Sequence, residues 1–138
     1  MSSERWLVLL GLSLYVASLF LPAIVGSGFP ALSGIDVLRQ GASGWRDGVV
    51  AWYANPAFVL ALVSCWIGRY RLALGAGAFG LVLALSSFTA GAVAESAGRS
   101  IPAFGFGAGF YLWLGAFVAA AAAPLAGIYK VSRAASSP

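Results

Sequence analysis

The side chains able to do chemistry lie between the apolar runs, not inside them. Asp36, Asp47 and Glu95 are the candidate proton donors, acceptors or cation ligands, and Arg39, Arg46 and Arg99 the candidate phosphate grips. Each carboxylate has an arginine close by: Asp36 and Arg39 stand at i, i+3, Arg46 precedes Asp47, and Glu95 and Arg99 stand at i, i+4. On a helix such spacings pair opposite charges, which is the ordinary pattern of a solvated surface. An enzyme acting on lipid headgroups is therefore the weakest functional expectation. The chain has no histidine, so it lacks the usual base near neutral pH, the Ser-His and Cys-His nucleophile pairs, and histidine-ligated metal sites. Its one cysteine, Cys65, forms no intrachain disulfide and lies in an apolar stretch, where an inert buried thiol is expected. No cofactor is expected.

One further motif resembles a phosphate-binding signature. Gly75-Ala76-Gly77-Ala78-Phe79-Gly80 matches G-x-G-x-x-G. A dinucleotide site needs a preceding strand and an acidic residue about 20 positions on. These glycines instead sit inside an apolar run, so helix packing is the expected role.

The elements that must hold these residues follow from composition. Of 138 residues, 61% are apolar and 9% charged, against about 25% charged in a soluble domain. That excludes a soluble globular domain and intrinsic disorder alike. Four stretches are long enough to cross a bilayer, which takes about 20 apolar residues. They run over about 6–25, 49–68, 72–94 and 106–128 within a single domain spanning 1–138. Backbone groups in lipid must bond internally, so each span is expected to be helical. None carries a charge in its middle, which disfavours an ion or proton pathway.

Orientation follows from lysine and arginine. With both termini in the cytoplasm, Arg5, Arg69, Arg71, Lys130 and Arg133 lie inside, while Arg39, Arg46 and Arg99 lie outside beside acidic partners. The positive-inside rule favours this arrangement, and scattered basic residues at span edges explain the net charge of +4 better than nucleic acid does. The first span is expected to remain uncleaved, because its apolar stretch exceeds the 7 to 15 residues of a signal core.

Small residues recur along the third span at Ala73, Gly77, Gly80, Ala84, Ser87 and Gly91. A stripe with that 3.5-residue period lets a second helix approach closely. The fourth span offers Gly115, Ala119, Ala122 and Ala126 at matching spacing, so these two spans are expected to pack together. A membrane protein partner, or self-association through Gly77, Gly80 and Ala84, is the alternative use of the stripe.

The outer loops carry the remaining signals. Ser33-Gly34-Ile35-Asp36 resembles a capping box, and Gly41 is a natural stop, so a short interfacial helix is expected between them. Trp45, Trp52 and Tyr53 suit the headgroup region. Pro56 removes a helix donor and restrains Asn55, so the second span is expected to kink there, or to restart with Asn55 as its N-cap. Tyr111 and Trp113 follow the alternating glycines Gly105, Gly107 and Gly109. The candidate outer binding face is thus Asp36, Arg39, Trp45, Arg46, Asp47, Trp52, Tyr53, Asn55, Pro56, Glu95, Arg99, Tyr111 and Trp113.

Trp52-Tyr53-Ala54-Asn55-Pro56, the basic hairpin at Arg69 to Arg71, Glu95, and Gly105-x-Gly107-x-Gly109-Phe110-Tyr111-Leu112-Trp113-Leu114 occur in that order. In this the chain resembles a group of small, uncharacterised bacterial four-helix integral membrane proteins with W-x-A-N-P and G-x-G-x-[YF]-x-L-W-L segments. The resemblance implies a four-helix transmembrane bundle in a bacterial inner membrane, and it brings no activity, cofactor or catalytic residue. The expected fold is all-α, four spans with an interfacial helix in the first outer loop. The expected role is a non-catalytic accessory protein of a larger membrane assembly. An outer-leaflet module that binds or moves a lipid or apolar molecule is the alternative.

Overall fold

A computed structural model of the protein describes residues 2–41, 50–89 and 104–136. Five helices dominate it: α1 (Ser3–Phe20), α2 (Gly34–Gln40), α3 (Ala54–Trp66), α4 (Tyr70–Leu85) and α5 (Ala108–Ala135). A 3-10 turn over Ala51–Tyr53 leads into α3, and another over Ser86–Thr89 extends α4. Three stretches are long and apolar enough to cross a membrane: Ser3–Phe20, Tyr70–Thr89 and Ala108–Ala134. The fourth apolar helix, Ala51–Trp66 with its lead-in turn, is shorter. Large apolar side chains point outward along the long helices, among them Val16, Phe79, Val82 and Val118.

Helix α5 lies at the centre and touches α1, α4 and α3. The expected α4–α5 contact is present. A Cβ at Gly77 would lie 3.0 Å from the Ala121 Cα and 3.2 Å from the Ala120 carbonyl oxygen. That carbonyl is the one whose helical donor Pro124, buried inside α5, cannot supply. Gly77 brings the α4 backbone against it. Gly80 likewise admits the ring of Phe117 and the methyl of Ala57. Gly77, Gly80 and Ala84 are all buried within the chain, so that part of the stripe is filled by α5 and α3, while Gly91 lies outside the described residues. The matching face of α5 differs from the expected one. Gly115 faces Leu14, and Ala119 meets the backbone of α1 at Gly11, so those small residues serve α1. The glycines of the G-x-G-x-x-G run lie inside α4, where Gly77 and Gly80 are packing positions and Gly75 faces open space.

The first span is not helical to its expected end. Helix α1 stops at Phe20, with Leu21 extended (φ −104°, ψ 155°). Leu21 precedes Pro22, whose ring disfavours the helical conformation at the residue before it. The chain then forms strand β1 (Pro22–Gly26), which pairs antiparallel with β2 (Leu32–Ser33) on one side and β3 (Phe104–Phe106) on the other. This small sheet, ordered β2-β1-β3, corrects the all-α expectation at one end of the molecule. Ile24, Val25 and Gly26 of β1 face Phe106, Gly105 and Phe104 in register. Helix α5, the fourth expected span, consequently starts at Ala108 rather than Phe106.

The short helix expected after the first span is present as α2. Ser33 caps it, and the box closes in both directions: the Ser33 hydroxyl accepts from the Asp36 amide, and the Asp36 carboxylate accepts from the Ser33 amide at 3.1 Å. The Ser33 hydroxyl also donates to that carboxylate at 2.5 Å. Asp36 is thereby committed to Ser33 and forms no ion pair with Arg39. Helix α3 begins at Ala54, so it does not restart at Pro56 with Asn55 as its N-cap. Tyr53 occupies the N-cap position, so Pro56 falls in the first turn, where amides lack helical acceptors and its missing N–H costs no bond.

Candidate functional site

The C-terminal end of α1, the sheet, α2, and the first turns of α3 and α5 enclose a cavity of about 300 Å³. Its position follows from close backbone approaches. Gly34 at the start of α2 sits directly on the Ser18 carbonyl, and Gly107 on that of Pro22. A Cβ at Gly109 would stand 2.6 Å from the Leu21 carbonyl oxygen. Hydrogen bonds hold the same junctions: the Gly34 amide donates to Leu21 at 3.1 Å and the Gly107 amide to Ala23 at 2.9 Å. The alternating glycines of the sequence are therefore unequal, since a Cβ at Gly105 would meet only the Val25 methyl at 3.9 Å.

The walls are apolar. Leu19, Ile24, Val37, Leu38, Phe104 and Phe110 supply much of the lining. Aromatic rings continue from the sheet into the core. Phe106 stacks on Phe110 at 3.9 Å, Phe110 leads to Trp113 at 5.8 Å, and Trp113 meets Phe117 edge-on at 4.9 Å. Phe117 contacts Phe58 at 5.0 Å, which stacks on Tyr15 at 4.7 Å.

One polar node breaks this lining. The Tyr15 hydroxyl donates to Asn55 Oδ1 at 3.1 Å, and the Trp113 indole donates to the same oxygen at 2.9 Å. Asn55 Nδ2 donates to the Trp52 carbonyl at 2.8 Å. An indole N–H can only donate and a carbonyl can only accept, so both ends of the amide are fixed. The Trp52 indole donates to the Leu38 carbonyl at 2.7 Å, tying α3 to α2. Gly41, just past α2, leaves room for that indole: a Cβ there would lie 2.5 Å from Trp52 Cδ1.

Of the sequence candidates, Trp52, Asn55 and Trp113 meet at the cavity. Asn55 does so as the second residue of α3, not as its N-cap. Tyr53 and Pro56 are exposed on the far side of the same turn, with Tyr53 edge-on to Trp52. Tyr111 is 57% exposed and points away. Asp36 and Arg39 lie on α2 outside the cavity lining, where the Ser33 hydrogen bonds, helped by the charge of Arg39, hold the Asp36 carboxyl below its ordinary range. Trp45, Arg46, Asp47, Glu95 and Arg99 lie outside the described residues.

Tyr15 and Ser87 line the cavity and were missed. Tyr15 carried a readable signal, since a phenol inside an apolar span needs a partner. Ser87 was read only as a small packing residue.

At the opposite end, Glu4 is buried and its Oε1 lies 3.6 Å from Lys130 Nζ, while its Oε2 has no hydrogen-bond partner among the described residues. Arg5 stands over the Trp66 ring at 5.5 Å. Cys65 is buried nearby. Among the described residues, no three His, Cys, Asp or Glu side chains come together. No family model, curated protein or solved structure matches the chain.

Proposed function

We propose that the protein is a four-pass integral membrane protein of a bacterial inner membrane, with both termini cytoplasmic, whose outer end binds an apolar small molecule or lipid chain. The observation that carries the reading is the cavity: about 300 Å³, aromatic and aliphatic in its walls, with one fixed amide at Asn55. Small-molecule sites have this character, with volumes from about 300 to 1,000 Å³ and a few placed polar groups. This moves the reading from the accessory role to the binding role. The described part of the small-residue stripe that motivated a partner helix is filled by α3 and α5, whereas the cavity is open to a ligand.

Several observations support the membrane placement. Arg5, the Arg69–Arg71 turn, Lys130 and Arg133 gather at the end where α1 begins, α3 turns into α4, and α5 finishes. That end suits the cytoplasmic side. Among the described residues the outer edges of β2 and β3 at the other end are unpaired, which lipid-exposed hydrocarbon does not tolerate, so headgroup level suits the sheet. Helix α3, of 13 residues, rises about 20 Å and reaches that level through its lead-in turn and α2.

The test is purification of the tagged protein from its host in mild detergent, with mass spectrometry of everything retained. A stoichiometric apolar molecule, lost when Val37→Phe narrows the cavity, is the expected result. A stoichiometric protein partner and no small molecule would return the reading to an accessory subunit.

A further inference from the structure

The hydrogen-bond inventory around Asn55 specifies what an occupant must carry. The amide oxygen already accepts two bonds, from Tyr15 and Trp113, which fills its lone pairs. The amide nitrogen has two hydrogens and uses one, on the Trp52 carbonyl. Among the described residues its second hydrogen has no acceptor. The Trp52 indole is used on Leu38, and the Trp113 indole on Asn55. One amide N–H donor is thus left in a chamber whose other polar groups are hydroxyls: Ser18, which donates to the Tyr15 carbonyl at 2.6 Å, and Ser87, which can itself donate to an acceptor on the occupant. Tyr15 is the only ionisable side chain among the described residues of the lining, and it is bound through its hydroxyl. A charged headgroup would enter without a counter-charge from these residues, at heavy desolvation cost.

Resting on the binding reading above, we propose that the cavity selects an uncharged apolar molecule bearing a carbonyl oxygen, as in a ketone, quinone or ester, which accepts from Asn55 Nδ2. The apolar body lies against Phe106, Phe110 and the aliphatic wall. The carbonyl completes the amide's hydrogen bonding without competing for its oxygen. A hydrocarbon leaves the donor unmet, and a carboxylate brings a charge the lining does not balance.

The experiment uses the full chain in detergent micelles and four probes of one chain length: undecane, its methyl ketone, undecanol and undecanoate. Binding is read by tryptophan fluorescence, with the Val37→Phe protein as the blank for partition into the micelle. The ketone is expected to bind about tenfold more tightly than undecane, the factor of one neutral hydrogen bond made away from water. Undecanoate is expected to bind weakest at neutral pH. The infrared carbonyl stretch of the bound ketone should fall relative to the ketone in micelles alone. Equal binding of ketone and hydrocarbon, with an unshifted carbonyl band, would overturn the carbonyl preference while leaving an apolar site. Undecanol binding above the ketone, with that advantage lost in Tyr15→Phe, would overturn it in favour of a donor-and-acceptor site. No difference between native and Val37→Phe protein for any probe would sink the binding reading itself.

Discussion

The indole of Trp113 donates to the Asn55 side-chain oxygen at 2.9 Å, joining residues 58 positions apart. Through that oxygen and the Tyr15 hydroxyl, one amide links α1, α3 and α5 at the floor of the cavity. Replacing Asn55 with leucine removes the acceptor for both donors at once. Each buried donor left unmet costs about 1–3 kcal/mol, so Asn55→Leu should destabilise by about 2–5 kcal/mol. Trp113→Phe loses one bond and should cost less. Thermal or denaturant unfolding in micelles checks the order, and a double-mutant cycle between positions 55 and 113 should give a coupling energy of about 1 kcal/mol or more. A coupling near zero would mean the bond contributes nothing net.

The two helical glycines of the G-x-G run make opposite demands. Gly75 has open space around its Cα, whereas a Cβ at Gly77 would press on the Ala120–Ala121 backbone. Gly75→Ala should therefore stabilise by about 0.5–1 kcal/mol through helix propensity. Gly77→Val should destabilise by about 1–3 kcal/mol through overpacking. Unfolding of the two variants side by side measures this. Equal effects at both positions would contradict the seating of α4 on α5.

A parallel contrast holds for the glycines of the G-x-G-x-G run. Gly107→Ala and Gly109→Ala drive a methyl into the carbonyls of Pro22 and Leu21, so both should loosen the junction of α5 with the sheet. Gly105→Ala meets only a methyl group and should be tolerated. Proteolysis rates of purified protein, with cleavage expected near residues 22–26 in the first two variants alone, check it.

These glycines also show why part of the fold was legible in the sequence and part was not. The capping box at Ser33 and Asp36 is local chemistry, four residues long, and α2 follows from it directly. The stripe in α4 is periodic, so its burial was readable, although its α5 counterpart was blurred by a run of alanines that fits every spacing. The sheet was not readable. Pro22 signalled the end of a helix, but β2 is only two residues long and the other partner of β1, Phe104–Phe106, is about eighty residues away, so no local pattern announces the sheet. Asn55 was singled out for its place before a proline, and its value lies instead in long-range bonds to Tyr15 and Trp113.

Protonation supplies a final test, at α2. The Ser33 hydroxyl and amide bonds, and the nearby Arg39 charge, lower the Asp36 pKa in the folded protein. A carboxyl depressed on folding adds stability above its unfolded pKa, which is about 3.9. That contribution is fully present at neutral pH and is lost as pH falls below about 4 and through the lower folded value. Helix α2 should therefore loosen on acidification, and the Trp52 indole, bonded to the Leu38 carbonyl at 2.7 Å, is the reporter on it. Since all five tryptophans contribute to emission, the signal is isolated by comparison with Trp52→Phe. Native protein should show a fluorescence transition below about pH 4 that Asp36→Asn lacks, because asparagine has no proton to gain there. Asn at position 36 keeps an oxygen acceptor for Ser33, so the variant should still form α2 at neutral pH, with a weaker box. An acid transition of the same midpoint and size in native and Asp36→Asn protein would show that α2 is held by its contacts with α1 and Trp52, and not by the capping box.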